Sequence, residues 1–310
     1  MPELPEVETI RRGLAAHLVG HKIIAVDVRA PKLFIGTPEA IIGQKVLEIE
    51  RRAKILIWKL DHYFLLTHLK MTGQLIFVPK KQTANSFQLS ANRQQPTITA
   101  RLRADSRKLK AQSWVIGGHP DKSYDLDLPH KHTHIIITFD NGMLYYNDLR
   151  KFGWIKIVAS LEGLKKEVGH FGPEYTWPEF SFDYFQTELA RRRTTLKQTL
   201  LDQTVVAGIG NIYADESLFC ARINPLKKSD ELNETETKKL FDCIPKVFNL
   251  ALKHGGTSSR DYRQSDGTFG TYLKIANVYK REGQPCHVCG QPIERIKIAG
   301  RSCHYCPKCQ

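Results

Sequence analysis

The residues best able to do chemistry lie at the two ends of the chain. It opens Met1-Pro2-Glu3-Leu4-Pro5-Glu6-Val7-Glu8 and closes with a cysteine-rich tail. Initiator methionine is commonly removed before a small second residue, which would make Pro2 the mature N-terminus. A free proline nitrogen is an α-amine with a reference pKa of about 8, so part of it is unprotonated at neutral pH. Amines that attack carbonyl-like carbons are covalent catalysts. A secondary amine gives an iminium adduct that cannot become a neutral imine, and that lasting cation favours elimination of a group β to the attacked carbon. Glu3 adds a carboxylate beside it. The same residues are also ordinary helix-start chemistry, because Pro lacks the orphan N–H and acids complement the dipole. The octapeptide alone does not decide.

In the tail, Cys286-x-x-Cys289 and Cys306-x-x-Cys309 have the spacing of a structural zinc site. Four thiolates satisfy the tetrahedral preference of zinc, and so small a hairpin needs the metal to fold. An iron or iron–sulfur centre is less common at this spacing. Disulfides are disfavoured in a cytoplasmic protein. Cys303 and Cys306 share the C-x-x-C spacing too, so the second knuckle could slip; the Cys306–Cys309 version closes more simply and leaves Cys303 a spare thiol. One structural Zn2+ per chain is expected. Arg295, Lys297 and Arg301 make the finger basic. Cys220 and Cys243 stand alone in apolar stretches and read as small core residues.

These groups need a frame. The 310 residues, 41% of them hydrophobic, suit two or three globular domains. A formal net charge of +14 favours a polyanionic partner, through counterion release from nucleic acid. A membrane partner would call for a basic amphipathic helix or a lipidation motif, and neither stands out. No apolar run approaches a membrane span and no signal-peptide layout is present, so a cytoplasmic protein is expected.

Leu4, Val7, Ile10 and Leu14 recur at helical spacing and predict an amphipathic helix from about Pro5 to Leu18. Short strands are predicted at Lys22–Arg29, Lys45–Glu50, Ile55–Leu60, Tyr63–Leu69, Gln74–Val78, His134–Phe139, Met143–Tyr146 and Trp154–Val158. Strands without helices between them imply an antiparallel sandwich or barrel. Pro79–Pro129, polar and basic, would be a very long loop for a compact domain and reads as a basic insertion, partly disordered. Helical periodicity follows at Phe180–Arg191, Thr195–Asp202, Ile212–Arg222 and Glu231–Lys253, then a Gly/Ser/Asp-rich loop at Gly255–Gly270 and a strand at Tyr272–Tyr279. In the turn Ala207-Gly208-Ile209-Gly210-Asn211, two glycines allow backbone N–H groups to approach an anion, and Asn211 suits an N-cap. The turn lacks the third glycine and preceding strand of a dinucleotide fingerprint, so no nucleotide cofactor is expected.

Several separated motifs now coincide: PELPEVE, Arg51-Arg52-Ala53-Lys54, His68-Leu69-Lys70-Met71-Thr72-Gly73, Lys131-His132-Thr133-His134, Asp148-Leu149-Arg150-Lys151-Phe152-Gly153, Gly208–Glu216 and the cysteine tail. Together they resemble the formamidopyrimidine-DNA glycosylase family, whose members excise oxidised purines and cleave abasic sites. The resemblance spans most of the chain outside the insertion. It implies an α+β multidomain fold: an N-terminal helix plus antiparallel β-sandwich over 1–160 (insertion 79–129), a helix-two-turn-helix domain over 161–280, and a zinc-finger β-hairpin over 281–310.

By the same resemblance Pro2 is the nucleophile on C1′ and Glu3 the acid that opens the sugar and releases the base. Lys54 and Arg301 match proton donors for β- and δ-elimination, though both cations also suit phosphates. Met71, Arg150 and Phe152 match residues that fill the gap left by a flipped base. His68, His132, Arg192 and Asn211 fall among the DNA-contacting positions, and 256–271 resembles a loop that caps the everted purine. The implied partner is double-stranded DNA carrying oxidised purines, met by a monomer. Leu149 stands where Pro is common. Cys303 replaces a usual Thr, placing an oxidisable thiol near the expected DNA surface. Phe171-Gly172-Pro173-Glu174-Tyr175 varies the usual linker. Two alternatives remain: an endonuclease VIII-like enzyme for oxidised pyrimidines, against which PELPE argues, and a non-catalytic zinc-containing DNA-binding protein.

Overall fold

A computed structural model describes residues 1–80, 114–118 (backbone only), 128–257 and 270–310. Expectations for the rest of the insertion and for most of the loop 256–271 lie outside these residues.

Helix α1 (Leu4–Leu18) forms as its apolar spacing predicts, with the Glu3 N–H donating to Glu6 Oε2 at 2.9 Å across its first turn. Its inward face divides. Val7, Ile10, Leu14 and Leu18 enter the core of a β-sandwich, whereas Leu4 enters the core of the helical part. The first turn is therefore the joint between the two halves.

The sandwich has strands β1 (Ile23–Val28), β2 (Phe34–Ile35), β3 (Val46–Arg52), β4 (Ile55–Leu60), β5 (Phe64–His68), β6 (Gly73–Pro79), β7 (Trp114–Gly118), β8 (Thr133–Phe139), β9 (Gly142–Asp148) and β10 (Trp154–Val158). One sheet runs β1-β8-β9-β6-β7 and the other β2-β10-β5-β4-β3. Trp58, Leu65, Leu75, Phe77, Ile137 and Tyr146 meet between them. Burying each contributes about 1.5–3 kcal/mol. Two expectations need correction. The insertion is not loop throughout, because β7 lies within it and pairs antiparallel with the edge of β6. The second sheet is not wholly antiparallel, because β2 pairs parallel with β10.

Helices follow: α2 (Leu161–Val168), α3 (Phe182–Ala190), α4 (Leu196–Leu201), α5 (Asn211–Ala221), α6 (Glu234–Lys253) and the single turn α7 (Tyr272–Ile275). The sequence reading missed α2, whose N-terminus is set by the Ser160 hydroxyl accepting from the Gly163 N–H. The strand predicted over Tyr272–Tyr279 is not one. Tyr272 packs on Tyr213, and the backbone N–H groups of Asn277, Val278 and Tyr279 all donate to the Glu216 carboxylate, which takes the place of a partner strand. Cys220 and Cys243 are not separate core thiols either. They form a disulfide with Cα atoms 5.8 Å apart, because α5 and α6 pack side by side and bring together residues distant in sequence. Strands β11 (Glu294–Ile298) and β12 (Arg301–Tyr305) close the chain as an antiparallel hairpin.

Candidate active site and metal centre

Helix α5 organises the site. It is buried on nearly every side, and its sequence Asn211-Ile212-Tyr213-Ala214-Asp215-Glu216 brings polar groups into that interior. Glu3 projects onto its N-terminus: Oε1 accepts from the Ile212 N–H at 2.9 Å and Oε2 from the Tyr213 N–H at 3.3 Å. The helix dipole and orphan N–H groups suit an anion there. Two glycines make room. A Cβ on Gly210 would collide with the Glu3 carboxyl carbon, and one on Gly208 would collide with the Leu4 side chain.

This corrects two readings of the glycine turn. The group it holds is the protein's own Glu3 carboxyl. Asn211 is the first helical residue, not the N-cap, and its Nδ2 donates to the Ser302 carbonyl at 2.8 Å, joining α5 to the hairpin.

Glu3 is only 3% exposed, and burial raises its pKa despite the opposing pull of nearby Lys54. Lys54 follows Ala53, held in a left-handed turn (φ 51°) between β3 and β4, and its Nζ donates to the Ile209 carbonyl at 2.6 Å. Burial lowers the Lys54 pKa to about 8. His68 Nδ1 accepts the Lys70 N–H at 3.0 Å, so a neutral ring carries its proton on Nε2; burial pushes its pKa down to about 3. A cavity of about 440 Å³ gathers Lys54, His68, Lys70, Gly210 and Arg301, with Met1 in its wall. The arrangement sets cations and the chain's amino end around one space, with the buried Glu3 carboxyl packed against Gly210 in its wall. It can supply protons and hold an anionic ligand.

A second group projects from two loops. Met71 and Phe152 are 39% and 53% exposed, and the Arg150 guanidinium lies 4.6 Å from the Phe152 ring centroid. Buried Asp148 ties the loops together. Its Oδ1 accepts from the Thr72 hydroxyl and from the Arg150 N–H, and its Oδ2 from the Gly153 N–H at 2.8 Å. Exposed apolar tips on so well-anchored a base suit insertion between stacked rings. Leu149, 45% exposed, stands beside them.

Other predicted residues lie outside the cavity wall. The His132 backbone carbonyl accepts the Asp148 N–H, placing it behind the loop base. Arg192 is engaged with Glu188 at 2.5 Å. The sequence reading missed Glu6, which accepts from the Tyr213 hydroxyl at 2.5 Å and from the Thr257 N–H at 2.7 Å. It also missed Gln203, whose Nε2 donates to the Ile209 carbonyl at 2.8 Å, and Glu174, which pairs with Arg51 and Arg52 across the joint. Charged residues inside an apolar helix were the available signal for Asp215 and Glu216.

In the tail the four sulfurs of Cys286, Cys289, Cys306 and Cys309 lie within 4.8 Å of one another, Cys289 and Cys306 at 3.5 Å and Cys286 and Cys309 at 3.9 Å. Tetrahedral zinc at about 2.3 Å from each sulfur requires edges of about 3.8 Å. The donor set and its spacing fit one structural Zn2+, which would clamp the two knuckles. Cys303 is elsewhere, fully buried, its thiol donating to Asp215 Oδ1 at 3.1 Å. It is neither a ligand nor an exposed oxidisable thiol, because burial and the neighbouring carboxylate push its pKa up.

Three family descriptions match in succession. The formamidopyrimidine-DNA glycosylase N-terminal domain covers residues 1–155, the H2TH domain of the same enzyme 171–263, and the zinc finger found in FPG and IleRS 283–310. The formamidopyrimidine-DNA glycosylase of Herpetosiphon aurantiacus is 37% identical over all of both chains. That of Desulforamulus reducens is 39% identical over 100% of this chain and 99% of its own. The crystal structure of the MutM (FPG) protein from Thermus thermophilus covers 100% of this chain and 98% of its own at TM-score 0.78 and 33% identity. The Lactococcus lactis Fpg complex with abasic-site DNA covers 99% of each at 0.79 and 32%.

Sandwich, helix-two-turn-helix unit and four-cysteine finger, in that order, define a zinc-finger DNA glycosylase. At this identity over its full length, the chain belongs to the formamidopyrimidine-DNA glycosylase family.

Proposed function

We propose that this chain excises oxidised purines from duplex DNA and then cleaves the abasic strand, with Pro2 as nucleophile once Met1 has been removed. The observation that carries this reading is the junction at Glu3. A buried carboxyl with a raised pKa sits on the α5 N-terminus, next to the chain's amino end and the cationic cavity.

The Pro2 nitrogen would attack C1′ of the flipped nucleotide while protonated Glu3 opens the sugar and the base leaves. The iminium then acidifies C2′–H, and elimination releases the 3′- and afterwards the 5′-phosphate. Lys54, Lys70 and Arg301 would hold the phosphates beside the cavity. Met71, Arg150 and Phe152 would fill the vacated stack, Arg150 bonding the unpaired cytosine. The helical α3–α6 unit and the finger would grip the backbone. Such an enzyme works where the DNA is, in the bacterial cytoplasm, and no described helix is long and apolar enough to cross a membrane.

Borohydride trapping on an 8-oxoguanine duplex tests the chemistry. Mature protein is expected to give a covalent adduct. Protein retaining Met1 should give none, because its Pro2 nitrogen is an amide. Pro2→Gly should give little or none, because the flexible glycine amine is no longer held by the pyrrolidine ring in line with C1′. Absence of adduct and strand cleavage from zinc-loaded mature protein would sink the enzymatic reading, and a preference for thymine-glycol duplex would reassign the substrate to pyrimidines.

Lys54 gives a pH signature. Its folded pKa lies below the roughly 10.4 of a free lysine. The unfolded chain therefore binds more protons between the two values, so this group's contribution raises stability as pH rises through that window. Phosphate binding runs the other way, since the ammonium is lost above about pH 8. Affinity for an abasic-analogue duplex should weaken up to about tenfold from pH 7 to 9. Lys54→Met should bind more weakly with that slope removed. Parallel slopes for both would exclude Lys54 from phosphate contact.

A further inference from the structure

We propose that the buried Lys197–Asp215 ion pair is a positioning device for the reaction, fixing the hairpin that carries Arg301 against the helix end that holds Glu3. The inference rests on the reading of Glu3 and Arg301 given above.

Both side chains have no exposure at all, and Lys197 Nζ donates to Asp215 Oδ1 at 2.5 Å. The ammonium, carried on α4, also donates to the Asn211 carbonyl at 2.9 Å, in the first turn of α5. Asp215 is shared with the hairpin. Its Oδ1 accepts the Cys303 thiol at 3.1 Å and its Oδ2 accepts the His304 backbone N–H at 3.0 Å, both from β12. Three elements therefore converge on one carboxylate. On one side of it, about one helical turn away, the α5 amides hold Glu3. On the other, two residues or about 7 Å along β12, stands Arg301 in the cavity wall.

Stability alone does not account for this pair. A buried ion pair costs desolvation, and apolar side chains of similar volume commonly replace one without loss. Apolar side chains could pack α4 against α5, but they could not receive a thiol and a strand N–H from the hairpin. The feature peculiar to Asp215 is thus the direction it gives β12. The second link, from Asn211 Nδ2 to the Ser302 carbonyl, holds the same strand one residue nearer Arg301. Cys303 keeps its proton under the influence of burial and the carboxylate, so the thiol remains a donor.

The test uses full-length, zinc-loaded protein and single-turnover cleavage of an abasic-site duplex, with thermal midpoint and zinc content measured in parallel. Lys197→Met/Asp215→Leu removes both charges together. It should keep its zinc and stay folded, its midpoint lowered only by the His304 N–H left without an acceptor, yet cleave about a hundredfold more slowly, as expected when reacting groups are misplaced by about 1 Å. Affinity for the duplex should fall by a much smaller factor. Cys303→Val, which deletes one donor and leaves the ion pair intact, should be about tenfold slower, whereas Cys303→Ser, whose hydroxyl can still donate, should match wild type.

A folded double variant cleaving at the wild-type rate would overturn the inference. If that variant does not fold, Cys303→Val decides alone, and a wild-type rate for it has the same consequence. Wild-type protein inactive on this duplex would instead remove the functional reading beneath the inference.

Discussion

Glu3→Gln is expected to slow release of 8-oxoguanine about a thousandfold, within the range a positioned acid or base contributes, while leaving Pro2 able to trap a preformed abasic site. The prediction follows from burial. The Glu3 carboxyl is driven toward its neutral form by desolvation, and the Lys54 charge and the Ile212 N–H only partly oppose that. A carboxyl biased toward its protonated form can give that proton to the sugar or base; an amide cannot. Pro2 chemistry on an abasic aldehyde needs no leaving base, so that step should survive. The substitution also carries a structural cost. A glutamine oxygen can still accept from the Ile212 N–H, but its NH2 would face the Tyr213 N–H, leaving a buried donor unpaired at about 1–3 kcal/mol. Thermal melting separates that cost from catalysis. Strand-nicking assays on 8-oxoguanine and abasic duplexes, run side by side, give the answer. Equal loss on both substrates would mean that Glu3 only holds the joint together.

That dual use explains how the opening residues could be read two ways from sequence. PELPEVE is a helix start, and α1 forms as its periodicity requires. The alternation of the sandwich strands and the C-x-x-C pairs were equally legible, because a period or a short spacing is local information. What escaped is long-range. Glu216 supplies three backbone N–H groups with an acceptor, so Tyr272–Tyr279 has strand-like composition and no partner strand. The Cys220–Cys243 bond depends on how α5 and α6 pack, which no single stretch of sequence encodes. Gly208 and Gly210 were read as leaving room for an anion, but the carboxyl that occupies the turn comes from the other end of the chain. Cys303 was read as an exposed thiol because spacing does not report burial.

The second large effect concerns the metal. Chelation of zinc, or Cys289→Ser, should weaken binding to an abasic-analogue duplex about a hundredfold or more while the sandwich stays folded. The finger has little core of its own: Ile293, Cys286 and Cys306 cluster with Phe219 from α5 and Val278 from the preceding segment. Without the metal the two knuckles have nothing to close them, since structural zinc sites draw their folding free energy from ligation. The turn between β11 and β12 is tight, with Ala299 and Gly300 both at positive φ (46° and 75°), and Arg301 follows it directly. When the hairpin loosens, Arg301 and its neighbours lose their fixed direction. Two charge-assisted contacts of about 1.5–3 kcal/mol each correspond to a hundredfold or more in affinity. The sandwich core contains no finger residue, and its strands should retain their protection against hydrogen exchange after chelation. The Asp215 and Gln310 bonds would still tether the tail to α5 and to the Ile223 carbonyl, so the finger should stay attached but disordered at its tip. Affinity unchanged by complete zinc removal would show that those tethers, and not the metal, direct Arg301.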